Sequence, residues 1–218
     1  MTSTRANPGL PRRRARRKAA ALLSALSFTC TLALATPAHA TTVPLALWNV
    51  WTGKCMDVPG YDAPAYNGPV NQHDCNYTSS DNQLWYDLPT RTVTINGSST
   101  QLYEFENAKG TCLDLPNYGA EPAGTHLQTF PCAGAADGAS DNQEWYFGLW
   151  GYTSIGGTTT PVYIIQNYKS NGLCLDVQGW ASNNTDLAND LPLTIYPCYD
   201  SSWANNGYDD HLWVLRAS

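Results

Sequence analysis

Three aspartates stand two residues after a cysteine: Cys55-Met56-Asp57, Cys112-Leu113-Asp114 and Cys174-Leu175-Asp176. A second cysteine follows each, at Cys75, Cys132 and Cys198, and then a run that ends in tryptophan. Those runs are Asp81-Asn82-Gln83-Leu84-Trp85, Asp141-Asn142-Gln143-Glu144-Trp145 and Asp209-Asp210-His211-Leu212-Trp213. Carboxylates can exchange protons, hold a cation or accept hydrogen bonds, and thiols can bind metal or pair. Paired acids such as Asp209 and Asp210 are what glycoside hydrolysis uses, but nothing in the pattern selects them. No Gly-x-Ser-x-Gly, His-Glu-x-x-His or phosphate-loop run occurs, and His73, His126 and His211 fall at unrelated repeat positions. Asp137, Asp141 and Glu144, or Asp186 and Asp190, lack EF-hand spacing and are expected to be solvated. The expectation is therefore no catalytic centre, no metal and no cofactor.

The cysteines point to a compartment. Arg12, Arg13, Arg14, Arg16, Arg17 and Lys18 precede an apolar stretch from Ala19 to Ala35, and Ala38-His39-Ala40 has the small-x-small form of a leader cleavage site. Residues 1–40 read as a secretory signal peptide and 41–218 as the secreted, extracellular chain. The leader takes Cys30 with it and leaves six of the seven cysteines, an even number in an oxidising environment. The repeat selects one pairing: Cys55–Cys75, Cys112–Cys132 and Cys174–Cys198, with separations of 20, 20 and 24. Each bridge would stabilise by about 3 kcal/mol in the chain-entropy description. No Cys-x-x-Cys pair supports a metal site. The leader also removes seven of the twelve Lys and Arg, leaving five against 18 Asp and Glu. So acidic a chain repels phosphate backbones and anionic lipids, which argues against nucleic acid and membrane as partners; no membrane insertion is expected.

The elements that must hold these residues are short strands. The chain is rich in Trp, Tyr, Gly, Asn, Asp and Thr, and no long amphipathic helical period is found. Leu47–Trp51, Leu102–Phe105 and Val162–Ile165 read as strands, each followed by a turn (Asn49 to Gly53, Asn107 to Gly110, Asn167 to Gly172). Thr92–Ile95 followed by Asn96-Gly97 reads as a hairpin, and the Gly- and Thr-rich linker 148–160 as another. Repeats run over about 45–101, 102–160 and 161–218. Units this long exceed most solenoid repeats. Each has room for about four strands, and closing three of them about a pseudo-threefold axis hides the sheet edges. The last strand, Trp213–Leu215, is expected to pair near the first.

Three copies of Cys-Leu-Asp (Cys-Met-Asp in the first), a downstream Cys and Gln-x-Trp (His211 replaces the Gln in the third) resemble the ricin-B-type lectin domain, carbohydrate-binding family 13. The resemblance covers nearly all of residues 45–218 and implies an all-β, β-trefoil fold. It implies that Trp85, Trp145 and Trp213 are core rather than sugar-stacking residues, as one large aromatic per unit would also suggest. A sugar offers hydroxyls and one weakly apolar C–H face, so its site combines a carboxylate, an amide and a ring. By resemblance, these are the Asp after Cys-Leu, a polar residue four before the second Cys, a ring two before it, and an amide just before Gln-x-Trp. In unit two they are Asp114, Gln128, Phe130 and Asn142. In unit three they are Asp176, Thr194, Tyr196 and Asp210, and in unit one Asp57, Asn71, His73 and Asn82. Unit two keeps all four types and ranks first, unit three second and unit one third; Trp180, in the longer loop of unit three, is a possible additional ring.

The expected function is non-catalytic binding of galactose-, xylose- or related sugar units on glycans or polysaccharides, by a monomer whose repeated shallow sites gain avidity. The alternative is a secreted trefoil that binds a protein partner, as an inhibitor or toxin-like molecule, through degenerate sugar sites.

Overall fold

A computed structural model of the chain describes residues 43–134, 141–179, 185–198 and 210–217. The expected leader lies outside the described residues, as do Asp137, Trp180 and Asp209. Among the described residues the named elements are thirteen β-strands. Unit one contributes β1 (Leu45–Asn49), β2 (Cys55–Asp57), β3 (Gly68–Pro69), β4 (Asn71–His73) and β5 (Trp85–Ile95). Unit two contributes β6 (Ser98–Asn107), β7 (Cys112–Asp114), β8 (Gln128–Phe130) and β9 (Trp145–Ile155). Unit three contributes β10 (Thr158–Asn167), β11 (Cys174–Val177), β12 (Leu191–Tyr196) and β13 (Trp213–Ala217).

Six of these strands close on themselves. β1 pairs β13, β13 pairs β10, β10 pairs β9, β9 pairs β6, β6 pairs β5 and β5 returns to β1. Closure leaves this ring without an open edge. The register repeats in each unit: Leu45 lies opposite Trp85, Tyr103 opposite Trp145 and Tyr163 opposite Trp213. The pairing of β13 with β1, expected from the sequence, runs from Leu45 opposite Ala217 to Asn49 opposite Trp213. The two hairpins expected around Asn96-Gly97 and within 148–160 are formed, and their arms are longer than expected, 85–95 with 98–107 and 145–155 with 158–167. β5–β6 turns at Asn96-Gly97, where both residues take positive φ (48° and 80°) as a tight two-residue turn requires, and β9–β10 turns at Gly156-Gly157.

The core explains why one aromatic per unit suffices. Its residues fall into sets of three equivalent positions: Leu47, Phe105 and Ile165; Met56, Leu113 and Leu175; Val58, Leu115 and Val177; Val70, Leu127 and Leu193; Trp85, Trp145 and Trp213. The three tryptophans have no exposed surface, so they are core residues and not sugar platforms. Truncating any one to alanine would cost about 3–5 kcal/mol. A buried asparagine ties each unit to the motif of the one before it. Asn107 Nδ2 donates to the Asn82 carbonyl at 2.9 Å, Asn167 Nδ2 to that of Asn142 at 2.6 Å, and Asn49 Nδ2 to that of Asp210 at 2.6 Å. The three expected disulfides are formed, with Cα–Cα separations of 5.1, 4.9 and 4.9 Å. Closed ring, threefold register and disulfides are consistent with the β-trefoil expected. No helix among the described residues is long and apolar enough to cross a membrane.

Candidate functional site

Each unit carries a short hairpin outside the ring: β2–β4, β7–β8 and β11–β12. The hairpins put the same positions face to face. Asp114 lies opposite Gln128 and Cys112 opposite Phe130; Asp176 lies opposite Thr194 and Cys174 opposite Tyr196; Asp57 lies opposite Asn71 and Cys55 opposite His73. Alternation along a strand sends Asp114 and Phe130 to positions two residues apart on their strands, so both reach one face. A disulfide anchors the far end of each hairpin.

In unit two this face opens into a cleft of about 150 Å³ lined by Asn67, Asp114, Asn117, Tyr118, Gln128, Phe130 and Asp141. Asp114 is 2% exposed. Its Oδ2 accepts from Gln128 Nε2 at 2.6 Å and its Oδ1 from Gln143 Nε2 at 3.2 Å. Burial raises its pKa to about 6 from the ordinary 3.8, against the lowering effect of the Gln128 and Gln143 hydrogen bonds. The carboxylate is therefore held in one orientation by two amides while the ring of Phe130 stands beside it. Gln143 also donates to the Pro131 carbonyl at 3.0 Å and accepts from the Ala133 N–H at 2.9 Å, so one amide supports both the site and the chain beyond β8. Tyr66 packs against Phe130, with ring centroids 6.0 Å apart, and remains 65% exposed.

Asn142 is placed differently from the sequence expectation. It has no exposed surface, and its Nδ2 donates to the carbonyls of Pro116, Asn117 and Gly119 at 3.1, 3.3 and 3.1 Å. Its Oδ1 accepts from the Leu115 N–H at 3.4 Å. The amide is spent on backbone and holds the loop after β7; the preceding residue, Asp141, reaches the cleft instead. Asn82 does the same in unit one, donating to the Gly60 and Asp62 carbonyls at 3.1 and 2.8 Å. The physical reason is shared: the loop after the Asp carries carbonyls that need donors once covered.

Unit three keeps the frame and changes the chemistry. Thr194 Oγ1 donates to Asp176 Oδ2 at 2.7 Å, as Gln128 does to Asp114. His211, standing where Gln143 stands, faces Asp176 Oδ1 with Nε2 at 3.3 Å and Asp210 Oδ1 with Nδ1 at 3.5 Å. All three are buried, and their ligand atoms lie within 4.8 Å of one another, so they are the group that could hold a cation among the described residues. Two carboxylates flanking one ring suit an imidazolium, whose two N–H groups both donate. Burial, and then the Asp176 charge, holds the Asp210 carboxyl well above the ordinary range. Tyr196 is 43% exposed beside this cluster's hairpin. Asp210 is thus part of a buried ionic cluster and not a free sugar-facing group.

Unit one places its acid in the same register. Asp57 is buried with its pKa raised to about 6, by burial first and by Asp81 next. Asn71 is buried, and His73 Nε2 lies 4.0 Å from Asp190 Oδ1 of unit three. Of the acids considered for calcium, Glu144 is bound on both oxygens by Arg91 (Nε–Oε1 2.9 Å, Nη2–Oε2 2.6 Å) and by Thr90 Oγ1 at 2.8 Å. Asp141 Oδ1 accepts from the Asn142 N–H at 2.6 Å.

The structure therefore brings together Asp114, Gln128 and Phe130. It adds Asn67, Asn117, Tyr118 and Asp141, which sequence reasoning did not assign to the site, and removes Asn142. Residues 92–189 match the family described as ricin-type beta-trefoil lectin domain-like. That segment includes Asp114, Gln128, Phe130 and Asp176. No curated protein matches the chain. The fold is similar to that of the hemolytic lectin CEL-III, with 20% identity and a TM-score of 0.53 over 81% of this chain. The likeness spans 33% of that lectin's length. Likeness is also found to a Caenorhabditis elegans protein of unknown function (12% identity, TM-score 0.49, 82% of this chain and 95% of that one). An SDF2-like protein from Arabidopsis thaliana gives 12% identity and a TM-score of 0.48, over 81% of this chain and 93% of that one.

Proposed function

We propose, from the premise that residues 92–189 are a ricin-type lectin-like segment, that this protein is a secreted β-trefoil that binds carbohydrate without transforming it. The observation that supports this reading is the unit-two cleft. A buried carboxylate, Asp114, is oriented by two amides next to the ring of Phe130, in a recess open to solvent. Hydroxyls donate to the carboxylate and the Asp141 oxygens; Gln128 and Asn67 offer amides; Phe130 and Tyr118 cover C–H faces. The cleft is smaller than the roughly 300 Å³ at which drug-sized pockets begin, which suits one neutral sugar ring of the galactose or xylose kind. Asp114 and Asp141 disfavour anionic sugars. The protein acts as a monomer, and unit two is its principal site.

Asp114→Ala tests the reading. We expect binding to a galactan or xylan column to fall at least tenfold, with the thermal unfolding midpoint above working temperature. Wild-type-like retention by the variant would overturn the assignment of unit two.

The second reading is a trefoil that binds a protein partner. It is favoured by the ionisable groups that face each other at units one and three, His73 near Asp190 of unit three and His211 between Asp176 and Asp210. A glycan array on which the wild-type chain binds no sugar would select it.

A further inference from the structure

Each hairpin is bordered by a loop from a different unit, and the three borders are built alike. Asn67, Gly124 and Asp190 each stand four residues before the polar hairpin residue of their own unit (Asn71, Gln128, Thr194), and each takes positive φ: 58°, 85° and 63°. Each donates its backbone N–H to the middle residue of the neighbouring hairpin. The Asn67 N–H reaches the Thr129 carbonyl at 2.7 Å, that of Gly124 the Ile195 carbonyl at 2.7 Å, and that of Asp190 the Gln72 carbonyl at 2.9 Å. Unit one thus walls the site of unit two, unit two that of unit three, and unit three that of unit one. The walls differ only in side chain: an amide, none, and an acid that faces His73.

The wall of unit two is the one that lines an open cleft. Its position is fixed. Thr129 Oγ1 donates to the Ala65 carbonyl at 2.8 Å, and the Gly68 N–H to the same oxygen at 3.0 Å. A Cβ on Gly68 would lie 2.9 Å from that oxygen, so the turn admits no side chain there. Asn67 then lines the cleft together with Asp114, and Tyr66, its ring tilted 54° to that of Phe130, extends from the cleft's aromatic side into solvent. We infer that Tyr66 and Asn67 of unit one complete the site of unit two and make it a two-ring site for a neutral oligosaccharide. One sugar ring sits between Asp114 and Asn67, and the next lies against Tyr66. The inference rests on unit two binding sugar.

The test titrates the whole chain, by calorimetry, with galactose and xylose and with their neutral oligosaccharides of two to four rings. The variants are Asn67→Gly, which keeps the positive φ and copies the wall of unit three, Tyr66→Ala, and Asp114→Ala as reference. We expect the wild type to gain about tenfold in affinity from one ring to two and little beyond. Tyr66→Ala should erase that gain and leave the single-ring affinity unchanged; Asn67→Gly should lower both by fivefold or more. Wild-type values for Tyr66→Ala and Asn67→Gly, beside loss of binding in Asp114→Ala, would overturn the two-ring site and leave the lectin reading standing. A wild-type chain that binds none of these sugars overturns both.

Discussion

Units two and three place an aspartate and its polar partner in the same register, yet one keeps an open, neutral-amide site and the other a buried charge cluster. The difference is two adjacent residues. Asn142-Gln143 in unit two become Asp210-His211 in unit three. Asn142 donates to three loop carbonyls, whereas a carboxyl at the same position offers no amide N–H. Gln143 supports Asp114 with an N–H, while His211 faces Asp176 with one nitrogen and Asp210 with the other. The two differences belong together: the acid of unit three stands beside an imidazole. One backbone frame thus carries an amide-supported carboxylate in unit two and a carboxylate–imidazole cluster in unit three.

The strongest way to break this comparison is His211→Gln, which leaves Asp176 and Asp210 together without a cation. Loss of one partner from a buried ionic group costs about 3–5 kcal/mol, read as a fall in the chemical-denaturation midpoint. Asp210→Asn added to it recreates the pair of unit two and should recover most of the loss. A single substitution that is neutral would refute the ionic role.

A second contrast is Glu144 in unit two against Leu212 in unit three. Arg91→Met should destabilise by about 2–3 kcal/mol, below the range for a fully buried pair because the guanidinium stays partly exposed. Combining it with Glu144→Leu should restore stability, because no carboxylate is then stranded.

The next test separates binding from stability by pH. Asp57 and Asp114 titrate near 6 when folded against 3.8 ordinarily, and Glu104 near 7 against 4.5, burial being the main cause in each. The folded chain holds these protons more tightly than the unfolded one, so their effect is absent below about pH 4. The cost grows as pH rises from about 4 and levels off above the folded values of about 6 to 7. Thermal stability should fall from pH 5 to pH 8, while the proposed sugar binding through ionised Asp114 should rise across the same window. Glu104→Gln should flatten the stability profile by up to about 3 kcal/mol at pH 8 and leave the binding profile unchanged. A parallel rise or fall of the two profiles would count against Asp114 as the acceptor.

The smallest effect sharpens the contrast from the other side. Gly124→Asn gives unit three the wall of unit two; open space surrounds the position, and asparagine tolerates positive φ. We expect a threefold gain or less in oligosaccharide affinity at most, because Asp176 remains engaged by His211, and unchanged stability within about 0.5 kcal/mol.

The fold was legible because its determinants are periodic. Paired cysteines, the closing tryptophan and the apolar runs each recur once per unit, and the core is built from sets of equivalent positions. That Asp114, Gln128 and Phe130 come together at one cleft was legible for the same reason. Asn142 was misread because residue type alone does not say whether an amide faces a ligand or the carbonyls of its own loop. Asn67 and Tyr66 were missed because they belong to another unit, and a reading unit by unit never joins them to Asp114. A cue existed: Asn67, Gly124 and Asp190 are residues that tolerate positive φ at one repeat position. Its meaning depends on the β3–β8 pairing, which only the three-dimensional register supplies.

The pairing of β1 with β13 occupies the place that the continuous hairpins β5–β6 and β9–β10 occupy in the other two units. The ring therefore does not depend on where the covalent chain is interrupted. A circularly permuted protein, with a short loop joining Ala217 to Leu45 and new ends opened between Asn96 and Gly97, would keep every strand pair and all three disulfides. Chain connectivity is in that sense a movable property of this molecule, and the exposed hairpin tips are natural points for grafting or tethering it.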